Sequence, residues 1–588
     1  MKGPALPPPR FDTVNAALRA AAARDGAGLT FVDLSERETS LEWSELYGRA
    51  RRAAGVLRAL GMRPGDRVGL LLPTSPGFMD AFFGTLLVGG TPVPLYPPVR
   101  LGRLAEYHAA TARMIRIIGA RLVLTDKRIR RLLGQAMERS QPELGCHTVD
   151  VLEREPHGEV EERARTDQIG LIQFSSGSTA APRAVALSHG QLMTQCAALM
   201  ALMPAPDEVP QVGVCWLPLY HDMGLIGCLL SAVCYGRSRL VLIRPEQFLL
   251  KPSLWLRAIS RHRARVSPAP NFAYAICLKR IKDEEMAGAD LSSWRYALNG
   301  AEPVSLDVMR RFGERFSRWG LDPNALMPVY GLAEAALAVA FSSDDEPARG
   351  IRLDPTISAT TGDVVPGGRE VASVGRPVPG FEIEIRDAQG EVLPERRVGR
   401  IFVRGPSVMT GYHDDPEATA RTLRDGWLDT GDLGFVVDAE LYISGRAKDL
   451  VTVRGANHTS EEFEECLEGI AGARPGCAVA VGYMPPGAEG EELVIFAERA
   501  SGTDRANDPV LTEQIRAAVV ERTAVRPHAV HVLEPGTLPR TSSGKLRRAE
   551  ALRRFVSGEL VPPARVDTLT IATEVVKSAV AFGRMKLT

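Results

Sequence analysis

An α/β fold spread over more than one domain is predicted by three observations. The chain has 588 residues, well beyond the roughly 250 to 300 at which one hydrophobic core stops growing. Short apolar runs alternate with helical stretches through its N-terminal bulk, the pattern of parallel strands covered by helices. Hydrophobic residues make up 45% and charged residues 24%, an ordinary globular composition that argues against extensive disorder or a fibrous protein.

Across residues 11–132 the helical stretch 43–60 stands beside runs such as Arg67-Val-Gly-Leu-Leu-Leu, which Pro73 closes. The alternation continues through Arg121-Leu-Val-Leu-Thr, Ile169-Gly-Leu-Ile-Gln-Phe, Arg239-Leu-Val-Leu-Ile and Ala264-Arg-Val-Ser, so parallel sheets are expected. After about residue 372 the texture changes to Phe381-Glu-Ile-Glu-Ile-Arg and Gly399-Arg-Ile-Phe-Val-Arg with turn residues between them, which predicts an antiparallel, β-rich region. A second α+β unit is expected from near Gly445 to near Phe555, with a helix over 460–470 and strands over 477–483 and 492–497. In the last segment, 556–588, the spacing of Ile571, Val575, Val576, Ala579, Val580 and Phe582 fits one amphipathic helix. That segment reads as a docking helix or a partly ordered extension. No tandem repeat is present.

Composition excludes several classes. Lys plus Arg and Asp plus Glu are each 71, so no net field draws the chain to nucleic acid or an anionic membrane, and any anion site must be built locally. The N-terminus has no apolar run behind its positive charge, so it is not a secretory signal, and a cytoplasmic location is expected. The apolar stretch 81–99 contains four prolines and the stretch 214–236 carries His221 and Asp222, so no transmembrane helix is expected. Eight cysteines without a C-x-x-C pair make neither a disulfide framework nor a zinc site; they read as buried thiols in a reducing compartment.

Five stretches carry chemistry. Phe174-Ser-Ser-Gly-Ser-Thr-Ala-Ala-Pro-Arg-Ala-Val follows an apolar strand. Its small residues can form a nest of N–H groups and hydroxyls for phosphate oxygens, with Arg183 adding charge. No Gly-Lys-Ser/Thr follows, so it is not a Walker A loop, and no Gly-x-Ser-x-Gly frame makes it a hydrolase nucleophile; a plain surface loop is the alternative. In Trp216-Leu-Pro-Leu-Tyr-His-Asp-Met-Gly-Leu-Ile-Gly, His221 and Asp222 could orient a carboxylate or work as an acid/base pair, or His221 could be a satisfied core histidine. Tyr330-Gly-Leu-Ala-Glu-Ala puts Glu334 near an expected helix start, as a Mg²⁺ ligand on ATP or as an acid answering the macrodipole. In Asp429-Thr-Gly-Asp-Leu-Gly, Asp432 could accept from a ribose diol, although turn chemistry explains it equally. Pro539-Arg-Thr-Ser-Ser-Gly-Lys-Leu-Arg-Arg places Lys545 on a Gly/Ser loop that could deliver charge to a reacting phosphate, or that forms a solvated basic surface.

Taken together and in this order, the stretches resemble the adenylate-forming superfamily of acyl-CoA synthetases, nonribosomal-peptide adenylation domains and luciferases, over about 12–555. Within it the chain is most similar to fatty acyl-AMP ligases, through the 216–227 motif, Leu298-Asn-Gly-Ala-Glu-Pro, and an insertion at about 344–371 that composition alone reads as a long loop. The resemblance implies a large N-terminal domain, 1–444, of two α/β subdomains plus a distorted β-barrel, a small mobile α+β C-terminal domain, 445–555, and an extension, 556–588. It implies ATP-dependent activation of a medium- or long-chain fatty acid to acyl-adenylate, release of pyrophosphate, and transfer to the phosphopantetheine thiol of an acyl carrier protein that serves polyketide, peptide or lipid synthesis.

Carried over by position, the resemblance assigns Ser175, Ser176, Gly177, Ser178, Thr179 and Arg183 to the phosphates. Asn299, Gly300, Ala301, Tyr330 and Gly331 fall to the adenine side, Asp432 and Arg446 to the ribose, Glu334 to Mg²⁺, and Lys448 to the hinge. His221 lines the acyl entrance and Lys545 bridges the carboxylate and the α-phosphate, offsetting the repulsion of two anions most strongly in the transition state. The chain departs from its relatives at Ala180, Ala184 and Arg183, where arginine keeps the usual lysine's charge, and at Thr459-Ser460-Glu461 in place of Tyr-Pro-Gln. The rival readings are an acyl-CoA synthetase, an amino-acid adenylation domain, and a non-catalytic protein that holds ATP or lipid. No nucleic-acid or integral-membrane partner is expected.

Overall fold

The computed structural model describes residues 1–98, 101–155, 164–175, 182–204, 210–343, 345–453, 456–485, 490–541, 544–564 and 568–585. Its architecture is the mixed α/β fold predicted. Among the described residues the largest sheet has nine strands. Six of them are parallel neighbours, in the order Leu326–Gly331, Tyr296–Asn299, Val266–Ala269, Gln211–Cys215, Ser238–Ile243 and Gly28–Val32. Runs such as Ser238-Arg-Leu-Val-Leu-Ile are apolar on both sides because helices cover both faces. A second, all-parallel sheet is ordered Thr91–Pro94, Arg67–Leu71, Leu122–Thr125, Cys146–Thr148. Its crossover helix Pro76–Leu87 starts where it does because Ser75 accepts the Phe78 amide and Pro76 occupies the first turn.

Past residue 372 the expected antiparallel region is a five-stranded sheet built on Glu382–Arg386, Gly399–Arg404 and Trp427–Val437, with Leu423–Arg424 and Glu440–Arg446. The first two bury alternate residues, as their period of two requires. The segment 344–371 is more than the loop its composition suggests. Gly350–Leu353 pairs antiparallel with Arg369–Ala372, and the helix Pro355–Thr361 lies between them in sequence. Leu353, Val364 and Val371 pack on Phe435, Val437 and Tyr442, apolar residues too sparse among Pro, Gly and Asp to show a period.

Residues 451–555 pack around clusters centred on Phe463, Ile495 and Ile515, and on Val479 and Phe496. Their sheet is ordered Ala473–Tyr483, Glu492–Arg499, Ala529–Leu533. The helix expected over 460–470 is shorter: Ser460–Glu464 tightens into a 3₁₀ turn, Glu465–Leu467. It stops at Glu468, whose backbone is extended, and Gly469, at φ +83°.

The amphipathic spacing near the C-terminus forms the helix Thr568–Met585, which turns back onto the helix Gly134–Ser140. Ser578 Oγ accepts the Gly134 amide at 2.7 Å, and Ser578 and Ala581 are each 2% exposed. A Cβ at Gly134 would sit 2.1 Å from the Ser578 carbonyl oxygen, so only glycine admits this approach. The Arg130 guanidinium covers the Phe582 ring at 4.4 Å, and Arg584 meets Glu138 at 3.3 Å. All eight cysteines are free and buried. Among the described residues no helix is long and apolar enough to cross a membrane.

Candidate functional site

A cavity of about 2130 Å³ opens at the carboxyl ends of the parallel strands, beneath the loop that carries Lys545. In sheets of this kind the crevice outside the strand ends is where ligands bind. Strand Leu326–Gly331 delivers Tyr330 and Gly331 to its wall, followed by a 3₁₀ turn, Ala333–Ala335, that carries Glu334. Glu334 therefore stands on a single turn and not at the start of the helix its motif suggested. The turn folds back because the Leu332 amide bonds to the Leu337 carbonyl at 2.8 Å and Ala336 adopts φ +68°. The Glu334 carboxylate accepts the Tyr412 hydroxyl at 3.0 Å. Loss of water around it, reinforced by Asp222 and Asp432, raises its pKa above the usual carboxylate range.

Asp432 lies in the long strand Trp427–Val437, directly opposite Arg446. It accepts the Tyr330 hydroxyl at 2.6 Å and faces Arg446 Nε at 3.2 Å. Burial, then the Asp432 charge, pushes the Tyr330 phenol well above its ordinary value, so the phenol stays a donor. Gly431, at φ +74°, makes the turn that aims Asp432 inward, and the Thr430 hydroxyl accepts the Asp432 amide at 3.1 Å.

Strand Tyr296–Asn299 ends in Asn299, and Gly300 and Ala301 follow it. Asn299 is fully buried and donates from Nδ2 to Asn271 at 3.2 Å. At Gly300 a Cβ would come within 2.7 Å of the Val329 carbonyl, and Ala301 sits at φ +70° on the cavity wall. Asn299 and Gly300 lie behind that wall. Ser175 ends strand Ile169–Ser175 and pairs with Arg183, whose guanidinium is 5.2 Å from the centre of the Tyr412 ring. Ser176, Gly177, Ser178 and Thr179 lie outside the described residues.

His221 and Asp222 precede a π-helix, Met223–Leu230, which begins as Asp222 accepts the Met223 amide at 2.8 Å. π-helical turns are frequent at functional sites. Burial, then the nearby Lys545 charge, lowers the His221 pKa to about 3, so its imidazole is neutral, and among the described residues its Nε2 has no hydrogen-bond partner. Burial raises the Asp222 carboxyl.

Lys545 caps a hairpin loop in which the Thr541 amide bonds to the Lys545 carbonyl at 2.8 Å and the Lys545 amide to Thr541 Oγ1 at 3.1 Å. Burial, then Arg446, lowers its pKa, while Asp222, Glu302 and Asp432 hold its charge. Lys448 lies in the turn Ala447–Asp449 at the cavity edge. Arg548, three residues past Lys545, meets Asp449 at 2.7 Å, Glu461 at 2.9 Å and Glu464 at 2.6 Å, tying the loop to that turn.

The structure thus gathers Ser175, Arg183, His221, Ala301, Tyr330, Gly331, Glu334, Asp432, Arg446, Lys448 and Lys545 around one cavity. Sequence reasoning gave no role to Glu302, which stands inside a quoted motif, accepts the Phe272 amide at 2.6 Å and faces Lys545. It also passed over Tyr412 and Arg548; the double arginine after Lys545 was the one visible sign of the latter.

A family model described as AMP-binding enzyme matches residues 18–413. A putative acyl-CoA synthetase of Caulobacter vibrioides is 33% identical over 564 residues, 93% of this chain and 96% of that protein. The long-chain-fatty-acid–AMP ligase FadD26 of Mycobacterium marinum is 33% identical over 551 residues, 88% of this chain and 92% of its own length. Among solved structures, one from a study of fatty acyl-adenylate ligases of E. coli and L. pneumophila superposes with a TM-score of 0.88 at 33% identity, covering 94% of this chain and 99% of that one.

Proposed function

The chain belongs to the AMP-binding enzyme family, and from that premise we propose how its cavity serves a fatty acyl-AMP ligase. The enzyme uses ATP to join a fatty acid carboxylate to AMP. In our reading the carboxylate oxygen attacks the α-phosphorus, the bond to the β-phosphate bridging oxygen breaks, and pyrophosphate leaves. Both reactants are anions, so the group that matters most sits where their oxygens meet. The observation that carries this reading is Lys545, half-buried on the cavity wall among the charges of Asp222, Glu302 and Asp432. A cation fixed there gains most as charge builds on the bridging oxygens.

Asp432, oriented by Tyr330 and Arg446, is assigned the ribose hydroxyls. Ala301, Tyr330 and Gly331, backed by Asn299 and Gly300, are assigned the adenine, and Ser175 to Arg183 the phosphates. His221, neutral and with a free ring nitrogen, is assigned the acyl entrance, where it positions the carboxylate without competing for it as a cation. Mg²⁺ is assigned to Glu334. Among the described residues no three acidic, histidine or cysteine side chains are arranged to hold a metal alone, so one carboxylate plus phosphate oxygens and water is the fitting donor set. When bound it supplies further positive charge to the phosphate oxygens. Glu334's raised pKa fits a carboxylate that needs a cation partner.

After adenylation, residues 445–555 turn about Lys448 as a small domain, withdraw Lys545, and admit the thiol of a carrier protein. A cytoplasmic location belongs to the same reading. Fatty-acid-dependent ATP–pyrophosphate exchange tests the first half: Lys545→Ala is expected to lose about 10²- to 10³-fold while nucleotide still binds, and near-normal exchange would refute the assignment. The acceptor is tested by offering the enzyme CoA or a carrier protein with its phosphopantetheine arm. Robust acyl-CoA formation would favour the acyl-CoA synthetase reading that the Caulobacter relative's name carries.

A further inference from the structure

Where the Lys545 side chain points depends on the peptide group that carries it. The arms of its hairpin are well anchored. Leu538 is buried in the cluster of Val479 and Phe496, and its amide bonds to the Glu498 carboxylate at 2.9 Å. Leu546 packs on the same cluster, it faces Arg540 across the hairpin, and the Arg547 amide closes the arms on the Pro539 carbonyl at 2.9 Å. The tip has no such packing. Gly544, which precedes Lys545, sits at φ +91°, and a Cβ built there would meet nothing within 4 Å. Glycine passes between backbone conformations at little cost, so hydrogen bonds must fix the Gly544–Lys545 peptide.

Both ends of that peptide are held. Its N–H, the Lys545 amide, donates to Thr541 Oγ1 at 3.1 Å. Its carbonyl, on Gly544, accepts Arg540 Nη1 at 2.7 Å. The two bonds differ in what they are attached to. Thr541 belongs to the hairpin, so it ties the tip only to itself. The Arg540 guanidinium reaches further: its Nη2 donates to the Gly476 carbonyl at 3.2 Å and to Cys477 Sγ at 2.9 Å, both on the strand Ala473–Tyr483. One planar fork therefore braces the peptide of Lys545 against the sheet of the small unit. Arg540 borders the cavity beside Lys545, but Nη1 and Nη2 are turned onto the protein.

We infer that Arg540 is a positioning residue for adenylation: it fixes the Gly544–Lys545 peptide plane, and through it the direction of the Lys545 side chain, without touching substrate. The inference rests on the fatty acyl-AMP ligase reading and goes beyond it by naming a group that acts only through Lys545. Its effect follows from geometry. A charge stabilises a transition state when it is already in place, and a misplacement of about 1 Å can cost about 10²-fold. Lysine is a poor substitute at 540, because a single ammonium lacks the fork that spans the Gly544 carbonyl and the Gly476–Cys477 edge together.

The test is a double-mutant cycle in fatty-acid-dependent ATP–pyrophosphate exchange by the full chain, with Arg540→Met, Lys545→Ala and the two combined. Arg540→Met is expected to lower kcat about 10- to 100-fold, the value of one or two hydrogen bonds to a charged group, while KM for ATP and for the acid stays within about twofold of wild type. Beside Lys545→Ala the same substitution is expected to cost about twofold or less, because nothing is left to position. Should Arg540→Met fail to fold, the cycle is run with Arg540→Lys, expected to lose about tenfold in the wild-type background and about twofold or less beside Lys545→Ala. A normal kcat, or an equal loss in both backgrounds as a merely structural role would give, overturns the inference and leaves the ligase reading standing. Near-normal exchange by Lys545→Ala also overturns it, by removing the residue through which Arg540 acts. Absence of exchange by the wild type with every acid overturns the ligase reading and this inference with it.

Discussion

His189 is 1% exposed, occupies the first turn of the helix His189–Leu202, and accepts the Val14 amide on Nδ1 at 3.2 Å. A proton there would face an N–H donor and the positive end of a helix, and burial lowers its pKa to about 4. The unfolded chain takes up that proton near pH 6.5 and the folded chain only near pH 4. The stability this neutral imidazole contributes is therefore complete above about pH 6.5 and is lost as pH falls toward 4, by about 3 kcal/mol in all. Denaturant midpoints measured from pH 7 down to 4.5 should fall, and His189→Gln should flatten part of that slope; identical slopes would contradict the assignment. His221, Asp432 and Lys545 could be picked out as candidates because each stands in a short stretch with a recognisable order, whereas Arg446 came only from the resemblance. Tyr412 and Glu302 were not legible as partners: Tyr412 reaches Glu334 across 78 residues of chain, and no local pattern records such a meeting.

At the scale of elements, two glycines on the cavity wall separate close approach from backbone freedom. A Cβ at Gly331 would stand 1.8 Å from the Leu337 carbonyl, inside the hairpin that positions Tyr330 and Glu334, whereas Gly431, at φ +74°, has nothing within 4 Å. Gly331→Ala is expected to cost about 3 kcal/mol or more, because backbone must move, and to cut exchange activity with it. Gly431→Ala should cost only about 1 kcal/mol, the penalty of a left-handed residue with a side chain. Urea unfolding of the two variants distinguishes these, and equal costs would show that the hairpin yields. Strands with sustained periods, such as Ser238–Ile243 and Gly399–Arg404, were readable because one or both faces are packed. The strand pair at 350–372 and the π-helix were hidden, the first by too few apolar residues and the second because a period of 3.6 does not describe it.

For the molecule as a whole, the unit that carries Lys545 is held at more than its entry point. Arg554 meets Glu106 at 2.7 Å, Arg369 meets Glu465 at 2.9 Å, and Arg103 bonds to the Val561 carbonyl at 3.0 Å. Beyond these the terminal helix returns to Gly134, 444 residues back along the chain. Its amphipathic spacing could be read from sequence, but its partner could not, because a helix's period says which face is covered and nothing about by what. Truncation after Phe555 should leave adenylation measurable and free the unit at one end, seen as faster proteolysis around residues 445–455. Unchanged cleavage would mean that the strap bears no load.

The docked terminal helix also sets a frame of reference. A dye placed on its exposed side, at Val576, would sit on the body formed by residues 104–140, although in sequence it follows the unit that carries Lys545. That dye would act as the fixed pointer of a distance measurement, and a second one on the helix Asp508–Thr523 would report the proposed turn about Lys448.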